Sequence, residues 1–153
     1  MAVFVEAAAA AVRVRGGISV LLTGDREIRR LNREFRHKDK ATDVLSFPVI
    51  PHEPTKGLSG APGGQERAAG DVAISVETAA RQAEEQGHRL AAELRILALH
   101  GLLHLAGFDH ETDAGRMARK EAALRRRFGL AAGLIERSAR PARRATAKRG
   151  SRQ

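Results

Sequence analysis

Cysteine is absent from the 153 residues of the sequence. Disulfide bonds and thiolate ligands are therefore excluded, and any bound metal must be held by nitrogen and oxygen atoms. Nothing in the sequence requires an oxidising compartment.

Long apolar runs are also missing. No stretch approaches the ~20 apolar residues of a transmembrane helix. The N-terminal segment lacks a basic start and carries Glu6 inside its apolar stretch, which argues against a secretory signal. We therefore expect a cytoplasmic protein that has no membrane partner.

Aromatic residues are few, with no Trp, no Tyr and five Phe. Several of the phenylalanines are expected in the core. An extended platform for base stacking, as many single-strand-binding proteins have, is therefore not expected.

Acidic residues are missing from the C-terminal segment. Residues 137–153 hold seven basic residues, so of the net charge of +9 only +2 belongs to residues 1–136. We interpret residues 1–136 as one domain and residues 137–153 as a disordered basic tail. Such a tail favours polyanions through phosphate neutralisation, or it is only a solubilising appendage.

Three of the six histidines lie close together, at His100, His104 and His110. Residues four apart share one face of a helix, so the first two can present their rings to a single ion. Gly107 suits the left-handed end of that helix and lets the chain bring the third ring back. Three neutral imidazoles predict one zinc ion, with a fourth position open as in catalytic sites.

The residues beside these histidines narrow the chemistry. Zinc lowers the pKa of bound water to about 7 and can polarise a phosphoryl oxygen. Zinc proteases of this spacing carry Glu after the first histidine, whereas this chain has Gly101. Asp109 and Glu111 flank His110 and are candidates for base, acid or an orienting role toward a ligand.

The order of apolar and polar residues predicts a small α+β domain, with one mixed sheet packed against several helices and a central helix that carries the metal. We expect a long loop over residues 51–69, which contain three Pro and four Gly. After a first helix, the predicted strands are 18–23, 44–49 and 71–75, and the predicted helices are 25–35, 76–86, 90–106 and about 113–128.

Three blocks together resemble a known family. They are residues 31–48 (LNREFRHKDKATDVLSFP), residues 70–75 (GDVAIS) and the histidine block that ends in GFDHE. They are similar, in order, to the YbeY family of bacterial endoribonucleases, over about residues 18–130. Members of that family begin with a strand before the first helix, whereas this sequence starts almost at the helix, so we expect an edge strand to be missing.

The resemblance implies an α+β fold with zinc held by the three histidines. It also implies cleavage of single-stranded RNA in processing of small-subunit ribosomal RNA, including its 3′ end, and in ribosome quality control, with small-subunit components as partners. The family's functional arginine falls on Arg36. In a polar turn Arg36 is a candidate catalytic and phosphate-binding residue, because its planar fork suits phosphate oxygens, and Lys38 and Lys40 are weaker substrate-binding candidates.

The remaining polar residues near the motifs have simpler interpretations. Asp43 is expected to brace its turn, and Ser75 to cap the helix that follows it. His37, His52 and His88 are interpreted as exposed polar residues.

Three hypotheses follow for function. The first is a zinc-dependent endoribonuclease that acts on ribosomal RNA precursors. The second is a zinc metallopeptidase or other zinc hydrolase, which Gly101 disfavours. The third is a ribosome-associated binding factor with a structural metal. For the first we predict weak sequence preference and steep salt dependence, because backbone contacts should dominate.

Overall fold

The structure is a computed structural model that describes residues 1–49 and 68–131. The predicted basic tail and residues 51–67 of the predicted loop lie outside these ranges. The elements are α1 (Ala2–Val12), β1 (Gly17–Thr23), α2 (Asp25–Arg36), β2 (Val44–Pro48), β3 (Ala68–Ser75), α3 (Val76–Gln86), α4 (Leu90–Leu105) and α5 (Arg116–Arg127). The predicted α+β class is confirmed.

The three described strands form one mixed sheet in the order β1-β3-β2. The central strand β3 pairs parallel with β1 and antiparallel with β2. It begins at Ala68, three residues before the predicted start, so Ala68 and Ala69 belong to a strand and not to the predicted loop. The sequence hides this start because Ala and Gly have low β propensity.

Gly70 allows the first part of β3 to pair with both β1 and β2. Its φ is +150°, and a Cβ there would lie 2.5 Å from the carbonyl oxygen of Phe47. Only glycine allows this approach between β3 and β2.

The core lies on both faces of the sheet. On one face α4 packs against β2 and β3 and is flanked by α1 and α5. On the other face α2 buries Ile28 against Leu45 and Ala73. The helix predicted to be central is therefore central. Its middle turns are buried on nearly all sides, and the buried residues there include Ile96, Leu97, Ala98, Leu99, His100, Leu102 and Leu103. No helix in the described part of the chain is long and apolar enough to cross a membrane.

The simpler interpretations of Asp43 and His37 hold. Asp43 braces its turn, because its carboxylate accepts hydrogen bonds from Thr42, from the backbone of Val44 and from Gln82. His37 is exposed, at the left-handed end of α2.

The interpretation of His88 as an exposed residue is wrong. Its side chain is only 14% exposed, and its Nε2 contacts the carboxylate of fully buried Glu93. Glu93 on α4 recruits the ring because a buried carboxylate needs polar partners. His52 lies outside the described residues.

The N-termini of α2 and α3 are joined by a polar cluster. Ser75 caps α3 as predicted, because its Oγ accepts a hydrogen bond from the backbone N–H of Thr78. The same hydroxyl donates to the carboxylate of Asp25, which also accepts from Thr78 Oγ1 at 2.6 Å and from Arg81 at 2.8 Å. The hydrogen bonds from Ser75 and Thr78, and then Arg81, lower the pKa of Asp25 to about 2.

We predict that Asp25→Asn destabilises the protein at neutral pH by about 1 kcal/mol, because it removes a charge that several donors stabilise at two helix N-termini. A lowered carboxylate pKa adds stability above the unfolded value of 3.8, and this stability is lost as pH falls toward 2. Urea unfolding from pH 7 to pH 2 should show the difference from the parent protein shrinking with acid. Asp71→Asn, at an exposed position, is the control. A difference that does not change with pH would contradict this role of Asp25.

Candidate metal centre

The end of α4 and the turn after it bring the three predicted histidines together. One nitrogen from each ring, at His100, His104 and His110, lies within 4.8 Å of the others. His100 is buried, His104 is half-buried and His110 is exposed. The cluster therefore has a closed side within the protein and an open side toward solvent.

A tight turn returns the chain from α4 to this cluster. Gly107 has φ +85°, in the left-handed region, and its N–H donates to the carbonyl of His104 at 2.9 Å. Asp109 then holds the next turn, because its carboxylate accepts hydrogen bonds from the backbone of Glu111 and from the hydroxyl of Thr112. This turn carries His110.

Hydrogen bonds fix which nitrogens of His100 and His104 are free. His104 Nδ1 lies 3.0 Å from the carbonyl oxygen of Phe108, which can only accept, so this nitrogen carries the proton. His100 Nδ1 lies 2.9 Å from a carboxylate oxygen of Glu121 and is a donor for the same reason. In the neutral rings both Nε2 atoms therefore present lone pairs.

These two lone pairs face each other. The Nε2 atoms of His100 and His104 are 3.1 Å apart, and neither has a proton to share while the rings are neutral. Two nitrogens bound to one tetrahedral zinc ion are about 3.3 Å apart, given Zn–N distances near 2.0–2.1 Å. The donor set therefore fits a metal ion held by three imidazoles.

The electrostatics keep at least one ring neutral. Burial, and then the neighbouring rings of His100 and His110, lower the pKa of His104 to about 4, against an opposing hydrogen bond to the Phe108 carbonyl. A neutral imidazole at physiological pH is the form that binds a metal.

The position after the first histidine has no room for a side chain. A Cβ on Gly101 would lie 2.7 Å from Val72 Cγ1 and 3.1 Å from Ser46 Oγ. This position therefore faces the sheet and not the imidazoles. A glutamate base, as zinc proteases carry there, does not fit this packing.

Arg36 lies close to the cluster from the other side. It is the last residue of α2, and not part of the turn as predicted, and its Nη2 donates to the carbonyl of Ser46 at 3.4 Å. Its positive charge is among the groups that lower the pKa of His104. Ser46 in turn donates to the Gly101 carbonyl at 3.1 Å, which links α2, β2 and the histidine helix.

Among the described residues, the other candidates do not join the three imidazoles in the cluster. These candidates are Lys38, Lys40, Asp109 and Glu111. Lys38 and Lys40 are exposed, and their contacts with other described residues involve their backbones, which the backbone and side chain of Asn32 hold. Hydrogen bonds from the backbone of Glu111 and from Thr112 lower the pKa of Asp109, so its carboxylate is a weak base. Within the described residues, neither Asp109 nor Glu111 makes a hydrogen bond to an imidazole.

Glu121 is the residue of this site that the sequence analysis missed. It lies on α5, is 1% exposed and accepts from the buried ring of His100. A usable signal was present, because Glu121 is the only acidic residue of that helix and shares its face with the buried Met117 and Leu124. A carboxylate on the core side of a helix needs a partner, and a metal-binding histidine is one.

The fold and the cluster together define a small α+β protein with three histidines placed so that they could hold a metal ion. The family model described as Endoribonuclease YbeY matches residues 2–129 of the chain. The chain therefore belongs to the YbeY family, and the match begins ahead of the region in which the sequence motifs show the resemblance.

Individual relatives agree with this assignment. The chain is 49% identical to Endoribonuclease YbeY of Koribacter versatilis over 97% of its own length and 89% of the relative's. It is 55% identical to that of Solibacter usitatus, over 76% of this chain and 69% of the relative. A solution structure of a Thermotoga maritima protein superposes with a TM-score of 0.52 at 26% identity, covering 82% of this chain and 77% of that one.

We predict that Glu121→Gln weakens zinc binding by about 10- to 100-fold, because the amide still accepts from His100 but no longer stabilises the metal-bound ring with a negative charge. Competition with a chromophoric chelator measures the affinity, and circular dichroism checks the fold. Glu85→Gln, at an exposed position on α3, is the matched control. Equal zinc affinity in both variants would rule out the positioning role.

Gly101→Ala should destabilise the protein by about 1–3 kcal/mol, because the added methyl group forces α4 away from β3. Gly17→Ala is the control, since a Cβ at Gly17 meets nothing within 4 Å. Urea denaturation of the two variants compares them. If Gly101→Ala is as stable as the control, the direct packing of α4 on the sheet at this point is wrong.

Proposed function

We propose that the protein is a zinc-dependent endoribonuclease that cleaves single-stranded RNA during processing of small-subunit ribosomal RNA, including its 3′ end, and in ribosome quality control. The observation that carries this proposal is the pair of inward-facing Nε2 atoms of His100 and His104, 3.1 Å apart, with the guanidinium of Arg36 nearby. The family supports it, since relatives such as those of Koribacter versatilis and Nautilia profundicola are named Endoribonuclease YbeY.

The residues of the candidate site have different roles in this proposal. His100, His104 and His110 hold one zinc ion, which when bound lowers the pKa of water and polarises a phosphoryl oxygen. Glu121 and the Phe108 carbonyl keep two of the rings turned with Nε2 inward. Arg36 binds phosphate oxygens and stabilises the charge that develops on them.

The open side of the cluster favours hydrolysis over a purely structural metal. His110 is exposed, so a substrate can approach from that side, whereas structural zinc sites are closed by a fourth protein ligand. Among the described residues, no further His, Asp or Glu joins the three-histidine group. The peptidase alternative is weakened by the missing space for a glutamate at Gly101.

The exposed charges indicate how RNA is bound. Lys38 and Lys40 follow Arg36 in an exposed turn, and we propose that they contact the RNA backbone beside the cleaved phosphate. Such contacts carry little sequence information and are sensitive to salt. Ribosomal RNA and small-subunit components are the proposed partners, which places the activity in the cytoplasm.

We predict that Arg36→Ala retains zinc but lowers kcat/KM for RNA cleavage by about 10²–10³-fold, because it removes phosphate binding and transition-state stabilisation. Arg36→Lys should recover only part of the loss, since an ammonium lacks the planar fork. Arg95→Ala, an exposed arginine over Phe4, is the control. Metal analysis and cleavage of a defined ribosomal RNA fragment are measured on the same preparations.

His110→Ala should lose both zinc and cleavage. Cleavage of a peptide library with the RNA left intact would replace the proposal with the peptidase alternative. Normal ribosomal RNA maturation in cells that carry His104→Ala, with the fold intact, would instead favour the non-catalytic binding factor.

A further inference from the structure

The outward face of α5 is strongly basic. The helix contains six basic residues and one acidic residue, Glu121, which points into the protein toward His100. Met117 and Leu124 share that buried side. The exposed arginines of the opposite face are Arg116, Arg119, Arg126 and Arg127, which we call the α5 basic face.

In the part of the chain that the structure describes, no carboxylate neutralises the charge of these four arginines. Within the described residues none of them forms an ion pair with a carboxylate; Arg119 donates to the Ala114 carbonyl at 3.3 Å, and Arg116 and Arg127 lie over the rings of Phe108 and Phe128. Their guanidinium groups therefore remain available to an external anion.

The other arginine-rich helix, α2, differs in this respect. There Arg30 forms ion pairs with Glu27 and Glu34, and Arg29 and Arg33 share Asp39. A high arginine content alone therefore does not make a surface for anions, because carboxylates on α2 and in the turn after it neutralise much of the charge of this helix.

The stability of α5 does not account for its basic first turn. Arg116 and Arg119 lie at the N-terminal end, where the helix dipole disfavours cations, and that turn contains no acidic residue. Arginines three positions apart also repel each other on a helix surface. Their placement opposes helix stability, so a binding role is the better explanation.

The α5 basic face begins beside Phe108, a residue that contacts the histidine cluster. Arg116 lies 5.9 Å above the ring of Phe108, whose carbonyl accepts from His104. From Arg116 the face runs along α5 for about 16 Å, at 1.5 Å per residue. A polymer whose reacting phosphate lies at the histidines can therefore extend along α5.

We propose that the α5 basic face binds the sugar-phosphate backbone of the RNA outside the cleaved bond; this rests on the proposed function, since it extends the same substrate. RNA is favoured over an anionic membrane because the apolar side of α5 is buried in the core and cannot insert into lipid. The contacts are to phosphates, so they add affinity for any sequence.

The test compares two triple variants with the same change in charge in the full-length protein. Arg116→Gln/Arg119→Gln/Arg126→Gln removes the α5 basic face, and Arg26→Gln/Arg30→Gln/Arg33→Gln removes as many arginines from α2. Binding of a single-stranded RNA oligonucleotide is measured by fluorescence anisotropy with a chelator present to prevent cleavage, over a range of salt concentrations. Cleavage kinetics are measured separately with zinc.

We expect the α5 variant to bind RNA about tenfold more weakly at low salt, with a log–log salt slope shallower by about 2, since each lost phosphate contact in a single strand removes ~0.7. Its KM should rise while kcat stays unchanged, because the contacts are equal in ground and transition states. Its thermal stability should not fall, because mutual repulsion is relieved. The α2 variant should bind RNA like the parent protein.

Equal RNA affinity in the two variants, or a greater loss in the α2 variant, would overturn the proposal. So would an α5 variant that binds RNA normally but no longer binds vesicles of phosphatidylcholine and phosphatidylglycerol, because the face would then serve a membrane. If the parent protein cleaves no RNA while only the α5 variant loses RNA binding, the proposed function fails and the α5 basic face stands.

Discussion

Two facing lone pairs, on the Nε2 atoms of His100 and His104, are the interaction on which the candidate site depends. They face each other because the opposite nitrogen of each ring is committed, to Glu121 in one case and to the Phe108 carbonyl in the other. While both rings are neutral, the pair is electrostatically unfavourable without a cation between them. The fold therefore holds two rings in an arrangement that a metal ion makes favourable.

Close packing on the sheet fixes the position of α4, the helix that carries these two rings. At Gly101 the helix α4 lies directly against Val72, with no side chain between helix and strand. Because position 101 has no side chain, α4 also lies near the β2 backbone, where Ser46 links this helix to Arg36. Glycine at this position thus lets the phosphate-binding candidate and the histidines share one site, and it excludes the glutamate that a peptidase of this spacing requires.

Features that depend on the spacing of residues along the chain could be predicted from the sequence. The spacing of His100 and His104 on one helix follows from the helical repeat, and most strand and helix limits follow from apolar periodicity. What it left out depends on how the elements pack in the folded protein. Glu121 acts through a ring 21 positions away, the early start of β3 depends on how Gly70 meets β2, and the burial of His88 depends on its contact with Glu93.

The surface charges of α2 and α5 likewise depend both on the local sequence and on where the fold places the side chains. Both α2 and α5 are rich in arginine, and the sequence shows three acidic residues in α2 against one in α5 but not where their side chains lie. The fold separates them because the acidic residues of α2 lie on its surface beside the arginines, whereas the single acidic residue of α5 is turned inward to His100. One carboxylate thus has two effects: it orients a candidate metal ligand inside the protein, and its absence from the outer face leaves α5 positive toward solvent.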